Sequence, residues 1–169
     1  MRLTQGNPKT ELLNIPSGSV ALIITAGDIS TMWPEIDRVL KPKAVVVTYG
    51  NAELHDRHRD TKPDWYKYRY VADTLKFFDS HHTTSAIFRN TPDSPKGTFN
   101  YQDYQYGVKP DHDYETHLVR TYSNEGDLVL DPFATFATLD AAILNNRDYI
   151  GIQSDPMLFE LMESELEFI

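Results

Sequence analysis

The segment Asp127-Leu-Val-Leu-Asp-Pro-Phe-Ala-Thr-Phe-Ala-Thr-Leu-Asp-Ala-Ala-Ile-Leu-Asn-Asn-Arg-Asp-Tyr-Ile-Gly-Ile-Gln-Ser-Asp155 decides the fold. Leu128 to Leu130 reads as a buried strand, Phe136 to Asn145 as an amphipathic helix and Tyr149 to Gln153 as a second buried strand. Strand, helix and strand in that order make one right-handed β-α-β unit of a doubly wound sheet. Ligands of such sheets lie outside the carboxyl ends of the strands, here Asp131-Pro-Phe-Ala and Gln153-Ser-Asp155. The turn between strand and helix is unusual. Glycine normally fills it, because a Cβ collides with any ligand that approaches the backbone; this chain has Ala134-Thr-Phe-Ala137 instead.

Working outward, Arg2 to Asn7 reads as a short strand with a glycine turn, and Pro8 to Asn14 as a brief helix capped by Asn7. Val20 to Thr25 is continuously apolar, as in a strand buried on both faces. Ser30 to Leu40 predicts a helix with Ser30 or Thr31 as cap and Met32, Ile36, Val39 and Leu40 inward; Lys41-Pro-Lys43 stops it, and Ala44 to Thr48 is the next buried strand. Tyr66 to Phe78 and Thr84 to Arg89 read as neighbouring strands, with His81-His82 in the loop between them. Asp113 to Tyr122 and Pro156 to Phe168 complete the helices, the latter capped by Asp155. Strands alternating with helices throughout predict one α/β domain over residues 1–169.

Composition narrows the function. The chain has 169 residues, no cysteine and a net charge of −9, which excludes disulfides and thiolate metal sites. His55 and His58 could share a metal, but no third ligand is evident, so no metal is expected and both are assigned to a solvated face. Residues 111–169 hold two Lys/Arg against thirteen Asp/Glu. A surface that grips DNA phosphates needs the opposite sign, so direct DNA binding is expected to be weak or absent, and an acidic face suits a basic partner. The tyrosines between Thr91 and Pro110 could stack on bases; with only Lys96 and Lys109 nearby, a loop packed on the domain or an interface patch is the expectation. With no signal segment and no apolar run of membrane-spanning length, a cytoplasmic protein off the membrane is expected.

Several stretches then resemble the permuted, β-class DNA amino-methyltransferases, which methylate adenine N6 or cytosine N4 with S-adenosylmethionine. Gly6 to Thr25 is similar to the segment that leads into that family's catalytic D-P-P-Y or S-P-P-Y tetrapeptide. Glu35-Ile-Asp-Arg-Val-Leu-Lys-Pro42 is similar to its E-I-x-R-V-L-K-P stretch. Lys109-Pro110 with Leu118 to Phe133, and Tyr149-Ile-Gly-Ile-Gln-Ser-Asp-Pro156, resemble its cofactor-strand segments in the same permuted order. The resemblance spans nearly the whole chain and implies the Rossmann-like methyltransferase fold, a mostly parallel sheet with helices on both faces.

The departures fall on the chemistry. Ala26, Gly27, Asp28 and Ile29 stand at the tetrapeptide, so no catalytic residue is expected: Ala26 offers no acceptor and Ile29 no ring to stack on a flipped base. The family's F-x-G-x-G-T loop reads Phe133-Ala-Thr-Phe-Ala-Thr138, with Thr135 and Ala137 replacing both glycines and Phe136 between them as an expected obstruction. Gln153 stands where an acidic residue would bind the ribose hydroxyls. The family's cofactor positions are therefore Asp131, Phe133, Thr135, Ala137 and Gln153, and no cofactor is expected there. No separate target-recognition domain is expected either. The pattern implies a degenerate methyltransferase without methyl transfer, of a kind suited to a phage or mobile element. It would act by binding a protein: a related methyltransferase, a restriction-modification component (as decoy or inhibitor), or itself as a homodimer. The alternative is an active S-adenosylmethionine-dependent DNA methyltransferase with an atypical site, Asp131 and Gln153 holding the cofactor and Asp28 the acceptor amine.

Overall fold

The computed structural model describes residues 1–50, 52–77, 80–89 and 112–167. Its strands are β1 (Arg2–Gln5), β2 (Val20–Thr25), β3 (Leu40–Gly50), β4 (Tyr66–Phe77), β5 (Ser80–Arg89), β6 (Leu128–Asp131) and β7 (Asp148–Gln153). Its helices are α1 (Pro8–Glu11, continued by a 3-10 turn, Leu12–Asn14), α2 (Trp33–Val39), α3 (Ala52–Thr61), α4 (His112–Tyr122), α5 (Phe136–Leu144) and α6 (Pro156–Leu166). The sheet order is β1-β7-β6-β2-β3-β5-β4. The first five strands are parallel, and the β4–β5 hairpin adds antiparallel at the β3 edge. The β6-α5-β7 unit read from the opening segment is present, with Leu130 opposite Ile150 in parallel register.

The buried strands alternate between two cores, which is why they carry unbroken apolar runs. Ile23 and Val46 face one cluster with Leu12, Ile29, Trp33, Ile36 and Val39. Leu22, Ile24, Val45 and Val47 face the other, with Leu118, Leu139, Ala142 and Met162. Helices α1 and α2 therefore cover one face of the sheet, and α4, α5 and α6 the other.

Four local expectations are corrected. Helix α2 begins at Trp33 rather than Ser30, and its N-cap, Met32, makes no side-chain cap bond. The Asp28 carboxylate takes the Ser30 N–H into a turn instead, and Pro34 helps start the helix. Leu40 belongs to β3, not to the helix. Val20 pairs with Leu40 and Leu22 with Val45, so Lys41-Pro-Lys43 forms an irregularity within the strand, where a residue lacking an N–H costs least. His81 and His82 are strand residues, paired opposite Lys76 and Thr74. His55 and His58 are buried rather than solvated, at 4% and 0% exposure, and His58 is laid against the turn after β2, where Ile29 N donates to it. The segment Thr91 to Pro110 lies outside the described residues.

Candidate functional site

The carboxyl ends of β2, β6 and β7 lie side by side in the sheet. Three turns leave them: residues 26–32, 132–135 and 153–155. They bring together the tetrapeptide and cofactor-loop positions that the sequence separates by about a hundred residues, as ligand sites in this architecture require.

Asp131 ends β6 and is fully buried. Its Oδ1 accepts from Phe133 N at 3.0 Å and its Oδ2 from Thr135 N at 3.2 Å. Burial pushes its carboxyl up to about 7, against the opposing pull of these bonds and of the Thr138 hydroxyl. Asp131 thus shapes the turn from beneath. Thr135 is the N-cap of α5: its Oγ1 accepts from Thr138 N and sits 2.9 Å from Thr138 Oγ1. Ala137 follows, half-buried in the first turn. Phe136 is placed differently from its expected role as an obstruction: it packs back on the second core cluster.

The ring that reaches across the site is Phe133. A Cβ built on Gly27 would fall 2.1 Å from its Cδ2 and 2.3 Å from its Cγ, so the ring lies on the bare backbone of the tetrapeptide position. Gly27 is required by this close approach.

Gln153 bridges two turns. Its Nε2 donates to Ala134 O at 2.9 Å and its Oε1 accepts from Asp155 N at 2.9 Å. Ala134 N in turn donates to Ile152 O at 2.9 Å. Both polar ends of the side chain at the family's ribose position thereby serve the fold. Asp155 caps α6, accepting from Met157 N and Leu158 N.

At the tetrapeptide, Ala26 is exposed and Ile29 is fully buried in the first core. Asp28 is committed on both oxygens: Oδ1 accepts from Ser30 N at 2.9 Å, and Oδ2 accepts from Arg57 Nη1. Partial burial alone would raise its pKa, but these bonds and the Arg57 charge hold it at about 2. Ile29 N donates to His58 Nε2 at 3.1 Å, which makes that nitrogen the unprotonated one. Burial drives His58 down to about 4, the Asp28 charge pulling the other way. His58 Nδ1 is buried without a hydrogen-bond partner. The sequence reading missed Arg57 and His58 as residues of this site. Their signal was the spacing of His55 and His58 on one side of a short helix, but only packing shows that this side lies under the turn. Among the described residues no group of three or more His, Cys, Asp or Glu could hold a metal, and no helix is long and apolar enough to cross a membrane.

The five-stranded parallel sheet, flanked by helices on both faces, is the fold of S-adenosylmethionine-dependent methyltransferases. The match extends to sequence: the DNA methylase profile of N6 and N4 methyltransferases aligns with residues 55–164, and the chain belongs to that family. TTHA0409 of Thermus thermophilus, assigned as a DNA modification methylase and solved with S-adenosyl-L-methionine, superposes with a TM-score of 0.73 at 19% identity, covering 99% of this chain and 93% of that one. M1.HpyAVI, in its SAM complex, gives 0.66 at 14% identity over 97% of this chain and 98% of its own. PvuII DNA methyltransferase, cytosine-N4-specific, gives 0.67 at 12% identity over 95% and 84%. At these identities the structures speak for the fold. No curated protein matches the chain.

Proposed function

We propose that this chain keeps the DNA methyltransferase framework without methyl transfer and acts by binding a protein partner, such as a related methylase or a restriction-modification component. The observation that carries the reading is Gln153. A carboxylate at that position would offer two acceptors to ribose hydroxyls, whereas this amide is held by Ala134 O and Asp155 N. Asp28 supports it, being a fully ionised carboxylate turned into the turn and onto Arg57 rather than an acceptor free for an amine. Phe133, lying on Gly27, closes the gap between the two motifs. These residues do not fit S-adenosylmethionine in the family manner. The acidic last third also disfavours a duplex contact.

Calorimetric titration with S-adenosylmethionine tests the reading. No heat of binding, and no methyl incorporation into DNA, is the expected result. Micromolar binding with methylation of adenine N6 or cytosine N4 would establish the competing reading of an active enzyme with an atypical site. One observation favours that competitor: Phe136, the obstruction expected in the loop, is turned onto the second core.

A further inference from the structure

Among the described residues, helix α6 is packed on one side only. Met162 is buried in the second core, with Leu166 packed against it. On the outer side Met157, Leu158 and Leu161 are 73%, 42% and 51% exposed. They stand at i, i+1 and i+4, neighbours on one face over little more than a turn. A lone exposed leucine needs no explanation; three large apolar side chains side by side do.

Carboxylates surround this stripe. Glu160, Glu163, Glu165 and Glu167 are exposed, and none makes an ion pair with a described residue. No Lys or Arg occurs from Asp148 to Ile169. That charge selects the occupant. In a second copy packed by two-fold symmetry, the same glutamates would face each other. Nucleic acid and anionic lipid surfaces have the wrong sign as well.

We propose that the outer face of α6 is a docking surface for a basic amphipathic helix of a partner protein. That helix would lay an apolar stripe on Met157, Leu158 and Leu161 and set Lys or Arg against the flanking glutamates, the pairing that two helices packed side by side use. The inference rests on the partner-binding half of the proposed function and is independent of whether the cofactor binds.

The test uses the full chain and a labelled Leu/Lys amphipathic helical peptide of about five turns, followed by fluorescence anisotropy. The peptide is expected to bind wild type, more weakly as ionic strength rises. Affinity should fall by about tenfold or more in the Leu158→Glu/Leu161→Glu variant. It should be unchanged in Leu13→Glu and Leu144→Glu, which alter positions at least as exposed (61% and 75%) in α1's 3-10 extension and at the end of α5. Circular dichroism melts establish that each variant is folded. The proposal is overturned if the peptide fails to bind wild type, if all three variants lose affinity equally, if the α6 variant loses none, or if a Leu/Glu peptide binds as tightly. The two readings fail separately: heat from S-adenosylmethionine removes the pseudoenzyme and leaves the α6 surface standing, whereas an α6 variant with undiminished affinity does the reverse.

Discussion

Replacing Gly27 with alanine tests whether the Phe133 ring rests on the tetrapeptide backbone. The new Cβ would lie 2.1 Å from Cδ2 and 2.3 Å from Cγ, where ordinary contact begins at 3.4 Å. The ring must therefore retreat by about 1.3 Å (3.4 − 2.1). Cγ lies on the axis about which the ring flips, so flipping does not relieve the clash. The whole side chain has to leave the first core cluster that it partly covers. Overpacking of this kind costs roughly 1–3 kcal/mol. In a Phe133→Ala background the obstacle is gone. Gly27 shows no left-handed φ, so alanine there should stabilise by about 0.4–1 kcal/mol through the unfolded chain. The expected outcome is a reversal of sign: Gly27→Ala destabilises wild type and is neutral or stabilising beside Phe133→Ala. Urea unfolding of the four proteins, with unchanged m-values, measures it. Equal changes in both backgrounds would refute the contact, and with it the closure of the crevice.

The pH dependence of stability has two opposed parts. His58, depressed to about 4, contributes stability that is present above its unfolded pKa near 6.5 and lost as pH falls through 4. Asp131, raised to about 7, contributes stability that is present below its unfolded 3.8 and lost as pH rises through 7. The two slopes offset each other between about pH 4 and 6.5, so Asp131→Asn should unmask a rise in melting temperature with pH across that window; a flat profile in this variant contradicts the His58 assignment. Gln153→Glu removes the donor to Ala134 O and should cost about 1–2 kcal/mol at neutral pH, read as a lowered urea midpoint; an unchanged midpoint means that the bridge is dispensable. His58→Ala leaves Ile29 N buried without its acceptor and is expected to cost about 1–3 kcal/mol, with faster hydrogen exchange at that amide as the local signature. Asp155→Ala removes the cap of α6 and should lower stability by about 1 kcal/mol; a mutant that melts with wild type would show that packing alone starts the helix.

Much of the framework is legible because local physics and global fold agree in it. Val20 to Thr25 is apolar at every position, and only a strand covered on both faces uses such a run. Asn7 and Asp155 cap their helices as their types require. Reading failed where a long-range contact outweighed local preference. Ser30 looks like a helix cap, yet the Asp28 carboxylate captures its amide before a helix can begin. His55 and His58 lie in a strongly polar stretch, which suggests solvent, but both are buried, His58 under the turn after β2. Phe136 sits between two former glycine positions and reads as an intruder, although the rotation of α5 carries it to the opposite core.

Taken alone, the sequence settled the parallel β-α-β framework, which depends on residue type and periodicity along the chain, and its resemblance to the DNA amino-methyltransferases supplied the permuted motif order and the replacement of both loop glycines. It could not say where the replacements point. That Gln153 is held between Ala134 and Asp155, that Phe133 covers Gly27 and that Arg57 and His58 lock the turn at Asp28 was decided by tertiary structure. The reason is physical: apart from the local Gln153–Asp155 bond, each contact joins groups distant in sequence, on separate turns or on helix α3, and only the closing of the fold brings them within hydrogen-bond or van der Waals reach.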